Sequence, residues 1–229
     1  MLVITGTGRS GTTVLAALCQ RLGFDPGGAY VAGINAGLED PEVVAINEDI
    51  LRPGGGERGH NQILSVRRDV IKDPRFILAR GTALRTWWRE RQDLRVVLTT
   101  RDPSAVVSSR QAHPHWFGPV ADGTAQALEE YIAATVGLMA NLGVPFCCLR
   151  FPDFLAHPGH VLTALRFGGL SFRDGRAYRH WRRLVDFSKV RHSPPPDGGG
   201  RRRSERFPFI GWLTGSGGRR PPQSRGARL

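Results

Sequence analysis

The sequence predicts an α/β fold in which a parallel sheet is covered by helices on both faces. Three observations carry this. A β-rich run, Leu2 to Ile4, meets a glycine-dense turn and then an apolar helical stretch that stops at Gly23. Two further short apolar runs, Asp69 to Lys72 and Arg95 to Thr100, each lead into helical sequence. Strands that alternate with helices in this way pair in parallel, with helices on the faces. At 229 residues the chain is long enough for one domain with a sizeable core.

Taken in order, the first helix is marked by Val14, Leu15, Leu18 and Leu22, with Gly23 as its C-cap. Phe24 to Asn35 is a glycine-rich segment, followed by Gly37-Leu38-Glu39-Asp40-Pro41. Helical period resumes at Val43, Val44, Ile46, Ile50 and Leu51 and ends at Pro53-Gly54-Gly55-Gly56. The strand Asp69 to Lys72 runs into Asp73-Pro74-Arg75, and a helix is expected over Phe76 to Arg91. Arg95 to Thr100 reads as the clearest buried strand; Pro103 sits early in the helix that follows Arg101-Asp102. Ala121 to Leu142 reads as a long helix, Val144 to Leu149 as a strand, and His160 to Phe167 as a helix. Ligands of parallel sheets sit beyond the carboxyl ends of the strands, so the motifs after Ile4, Ile71, Thr100 and Leu149 should converge at one edge.

Net charge is +12, and it is unevenly placed. From His192 onward eight arginines stand against Asp197 and Glu205, within runs of proline and glycine. Residues 192–229 are therefore expected to be a disordered or loosely attached tail, and residues 1–191 the folded domain. The positive body suits an anionic nucleotide, and with no zinc-finger, helix-turn-helix or ribonucleoprotein motif present a nucleic-acid partner is not expected. Cys19, Cys147 and Cys148 show neither metal spacing nor a disulfide framework, which fits a reducing compartment. With no basic leader, no cleavage site and no apolar run of spanning length, a soluble cytoplasmic protein without a membrane partner is expected.

The segment Gly6-Thr7-Gly8-Arg9-Ser10-Gly11-Thr12-Thr13 admits three readings. A strand, a glycine turn and a helix start present backbone N–H groups to an anion, usually phosphate. Gly6, Gly11 and Thr13 fit the Walker A spacing, but Thr12 stands where its lysine belongs. Gly6, Gly8 and Gly11 fit the dinucleotide fingerprint, but a turn follows where a second strand ending in an acid is needed. In the third reading the loop's cation is Arg9.

That third pattern resembles the 5′-phosphosulfate loop of sulfotransferases that use 3′-phosphoadenosine 5′-phosphosulfate (PAPS). RVVLTTRDPSAVVSSR resembles their 3′-phosphate segment, with an arginine after a strand and a serine eight positions on, here Arg101 and Ser109. IKDPR, Ile71 to Arg75, is similar to the K-D-P stretch of tyrosylprotein sulfotransferases and bacterial relatives. LRFPDFLAHP looks like a further family segment, with Phe151 and Pro152 replacing its usual tyrosine and acid.

The resemblance implies a P-loop NTPase-like three-layer sandwich and PAPS-dependent sulfuryl transfer to a hydroxyl or amine, with a small-molecule or carbohydrate acceptor. It implies that Gly8, Arg9, Ser10, Gly11, Thr12 and Thr13 cradle the 5′-phosphosulfate and that Arg101 and Ser109 hold the 3′-phosphate. Arg9 and Lys72 would stabilise the transferring group, and Glu39 would be the base, with Asp40, Glu48 and His60 as further candidates. No metal is implied. The alternatives are a P-loop kinase-like phosphotransferase and a non-catalytic binding protein on the same fold.

Overall fold

The computed structural model describes residues 1–31, 36–54, 62–111 and 124–185. His60 and the tail 192–229 lie outside them. In chain order the strands are β1 (Leu2–Gly6), β2 (Tyr30–Val31), β3 (Ala36–Gly37), β4 (Val70–Lys72), β5 (Arg95–Arg101) and β6 (Phe146–Phe151). The helices are α1 (Thr12–Leu22), α2 (Pro41–Leu51), α3 (Thr82–Glu90), α4 (Pro103–Gln111), α5 (Ala125–Leu142), α6 (Asp153–Ala156), α7 (Pro158–Phe167) and α8 (Asp174–Leu184).

Four strands form one all-parallel sheet in the order β4-β1-β5-β6. Side chains alternate between its faces. Leu2 and Ile4 of β1 and Val97 of β5 enter a core with Leu15 and Leu18 of α1, Leu165 of α7 and Trp181 of α8. Val3, Val96 and Leu98 point the other way, onto Ile46 of α2, Phe76, Trp87 of α3 and Met139 of α5. Helices thus cover both faces, and the α/β expectation holds. Trp87 is wholly buried, meets Phe76 edge to face at 5.5 Å, and donates Nε1–H to Asn47 Oδ1 at 2.8 Å. Burying side chains of this size contributes roughly 1.5–3 kcal/mol each.

Besides the short helix α6 and a two-residue shift of β6, three features differ from the sequence reading. The glycine-rich segment contains a small antiparallel pair, β2 with β3. The expected helix Phe76 to Arg91 is a 3₁₀ segment, Pro74–Gly81, followed by α3. Its period is continuous in sequence, but Ala79 and Arg80 take left-handed φ values of 45° and 56° and break the path. Helix α8 was not anticipated at all; its sequence is rich in arginine, and only Ala177 and Trp181 are buried.

The register sets the site. Lys72 stands beside Ile4, Thr99 beside Gly6, and Phe151 beside Arg101, so the carboxyl ends of all four strands meet at one edge.

Candidate functional site

At that edge β1 turns into α1 through Thr7–Gly11. Gly8, Arg9 and Gly11 have φ values of 62°, 58° and 91°. A tight turn of this kind can present successive backbone N–H groups to an anion. A non-glycine residue pays strain there, and Arg9 is the one that does. Gly11 is the N-cap of α1; no side chain caps the helix and no acid lies in its first turn. Its first N–H groups therefore have no side-chain acceptor and no nearby acid to offset the helix dipole.

Close packing holds the loop. A Cβ at Gly6 would lie 2.3 Å from the Thr99 carbonyl oxygen, and one at Gly11 would lie 2.6 Å from Phe154 Cζ. Ser10 is fully buried, its hydroxyl 2.8 Å from Thr99 Oγ1, so the group it presents to a ligand is its backbone N–H. Thr12 is buried and Thr13 is half-buried at the start of α1. Thr12 thus supplies no cation at the Walker lysine position. Thr7 is 2% exposed, and its Oγ1 has no hydrogen-bond partner among the described residues.

Three guanidiniums converge on this loop. Arg9 donates Nε–H to Ser109 Oγ at 3.2 Å. Arg101 donates from Nη1 to the Arg9 carbonyl at 3.1 Å and lies 5.0 Å from the Phe151 ring centroid. Arg110 donates from Nη2 to the Thr7 carbonyl at 2.6 Å. Burial and then the nearby Arg9 charge push Arg101 below its usual pKa; burial does the same to Arg110. An anion at this point would relieve both effects.

On the other side of β1, Lys72 is 2% exposed and its ammonium donates to the Glu39 carboxylate and, at 2.9 Å, to the Gly37 carbonyl. Burial pushes the lysine pKa down, opposed by Glu39 and Asp73. Glu39 is positioned by tight backbone contacts. A Cβ at Gly28 would lie 2.1 Å from the Glu39 carbonyl oxygen, so only glycine fits there. Leu38 is buried with φ 65°, and its N–H donates to the Ala29 carbonyl at 2.9 Å.

The other acids are engaged elsewhere. Asp40 caps α2 by accepting from the Glu42 N–H at 2.8 Å, and it pairs with Arg68 at 2.8 Å. Glu48 accepts from Arg75 Nη2 at 2.7 Å. Asp73 is fully buried and accepts from Asn47 Nδ2 and the Arg75 N–H, each at 2.9 Å. Among the described residues no group of three or more His, Cys, Asp or Glu could hold a metal ion, and no helix is long and apolar enough to cross a membrane.

No protein-family model matches the chain, and no curated protein matches it. Among solved structures it is similar to a sulfotransferase from Mycobacterium tuberculosis. The identity is 15%, the TM-score is 0.47, and the match covers 79% of this chain and 70% of that one.

Sequence reasoning brought Arg9, Arg101 and Ser109 to one place and paired Lys72 with Glu39 only implicitly, as members of one site. It missed Arg110 and Thr7. Arg110 follows Ser109 directly, and two turns of α4 after Arg101 return both residues to the loop. That periodicity was available as a signal. The burial of Thr7 carries no such signal in the sequence.

Proposed function

We propose that the chain transfers a sulfuryl group from PAPS to a hydroxyl or amine of a small-molecule or carbohydrate acceptor. One observation carries the reading: the two segments that resemble the 5′-phosphosulfate loop and the 3′-phosphate segment interlock through Arg9. Its side chain reaches Ser109 and its carbonyl accepts from Arg101.

The residues fit a polyanionic nucleotide. An uncapped helix start, a left-handed loop, the buried and unpartnered Thr7 hydroxyl and three guanidiniums are the donors such a group needs. When bound, PAPS supplies an activated sulfuryl group. The N–H groups of Gly8 to Thr13 would hold its 5′ end, and Arg101 with Ser109 its 3′-phosphate. Arg9 and Lys72 would oppose charge that develops during transfer, a role in which fixed donors act most strongly. Glu39 would accept the acceptor's proton at its carboxylate.

The test is transfer of labelled sulfate from PAPS to a pool of hydroxylated and aminated acceptors. Labelled product that disappears in Glu39→Gln supports the reading. Tight nucleotide binding without transfer to any acceptor contradicts it in favour of a binding protein.

A further inference from the structure

Helix α8 carries a second basic surface, separate from the loop. Ala177 and Trp181 are buried against α1 and α7, while Arg173, Arg176, Arg179, Arg182 and Arg183 are exposed. At 100° per residue Arg176, Arg179 and Arg183 fall within about 60° of one another, over about 10 Å of helix. The end of α1 adds to the array, since Arg176 donates from Nη2 to the Arg21 carbonyl at 3.3 Å and Arg21 is itself exposed. Asp174, the acid on this helix, is paired with Arg166 of α7. Charge from Arg176, Arg21, Arg183 and Arg179 all reaches His180, so the guanidiniums share one field.

We propose that this arginine face binds the phosphate backbone of a single-stranded nucleic acid. Guanidinium groups offer planar forks matched to phosphate oxygens, and a row along a helix follows a chain of them. The apolar side of α8 is already buried in the core, so the helix has no face left to insert into a bilayer. Helical spacing within α8 sets the row, and packing on α1 brings Arg21 beside it.

The experiment uses the full chain and a fluorescent 20-residue oligouridylate, read by anisotropy across a salt series. The triple variant Arg176→Gln/Arg179→Gln/Arg183→Gln should bind at least tenfold more weakly. Its log–log salt slope should be shallower by about 2, as three lost phosphate contacts at ~0.7 each require. A circular-dichroism melt checks its fold, and Arg179→Gln/Arg183→Gln serves if the triple variant unfolds. Unchanged affinity and slope in the folded variant would overturn the proposal. So would a parent chain that ignores the oligonucleotide, whether or not it binds phosphatidylserine vesicles.

Discussion

The ammonium of Lys72, at the end of β4, donates to the carboxylate of Glu39 in the segment that leads into α2. The lysine is nearly inaccessible, while the Glu39 side chain is 24% exposed. One partner is therefore fixed and the other is reachable from solvent. If Lys72 acts on developing charge, Lys72→Ala should cost roughly 2–4 kcal/mol of barrier, as loss of one preorganised donor does. Turnover should fall more than nucleotide affinity. Steady-state rates beside a binding titration check this; weakened binding with unchanged turnover would make Lys72 a ground-state anchor.

Glu39→Gln keeps the shape and removes the base. It should lower transfer by about a hundredfold or more while nucleotide binding survives. An unchanged rate would eliminate Glu39 as the base.

Asp40 should behave differently from its neighbour. It caps α2 and pairs with Arg68, so Asp40→Ala should destabilise the fold by about 1–2 kcal/mol, as loss of a helix cap does. Transfer by the folded fraction should stay within about twofold, because Asp40 stands outside the proposed machinery. Urea unfolding and rate measurements on the same preparation separate the two effects.

Cys19 sets an alkaline limit. Burial holds its thiol up at about 12, against an ordinary 9.0. Above pH 9 the unfolded chain releases this proton and the native chain keeps it, so the unfolded state binds fewer protons. The contribution is therefore fully present below pH 9 and is lost as pH rises toward 12. Urea midpoints measured from pH 8 to about pH 10.5 should fall less steeply in Cys19→Ala than in the parent. Parallel profiles would contradict this.

Much of the fold was legible because each buried strand is short, apolar and followed by its own helix start. Pro41, near which a helix start reads in sequence, is the first residue of α2, whereas the helix expected from Phe76 begins as the 3₁₀ segment at Pro74. What was not legible depends on tertiary contact. Ala79 and Arg80 are ordinary helix formers in left-handed backbone, with Phe76 and Ile77 buried just before them. Helix α8 has too few apolar residues to announce itself, and Trp181 finds its burial against Phe154, 27 residues earlier, at a centroid distance of 6.2 Å. In the site, the glycine spacing and Arg9 were visible in sequence. The approach of Arg110 to Thr7 and the engagement of Ser10 by Thr99 required the sheet order.

If the proposed function holds, the Arg9 loop and the Arg101–Ser109 segment together recognise a nucleotide with phosphates at both the 5′ and 3′ positions. Isothermal titration of the full chain with 3′-phosphoadenosine 5′-phosphate and with ADP tests it most directly, since each ligand carries two phosphate groups. Affinity should be micromolar for the first, with ADP bound at least tenfold more weakly. In Arg101→Ala most of that difference should vanish, a loss on the order of 1.5–3 kcal/mol for a charged hydrogen bond. Equal affinities for the two nucleotides in the parent chain would rule out recognition of the 3′-phosphate by Arg101 and Ser109.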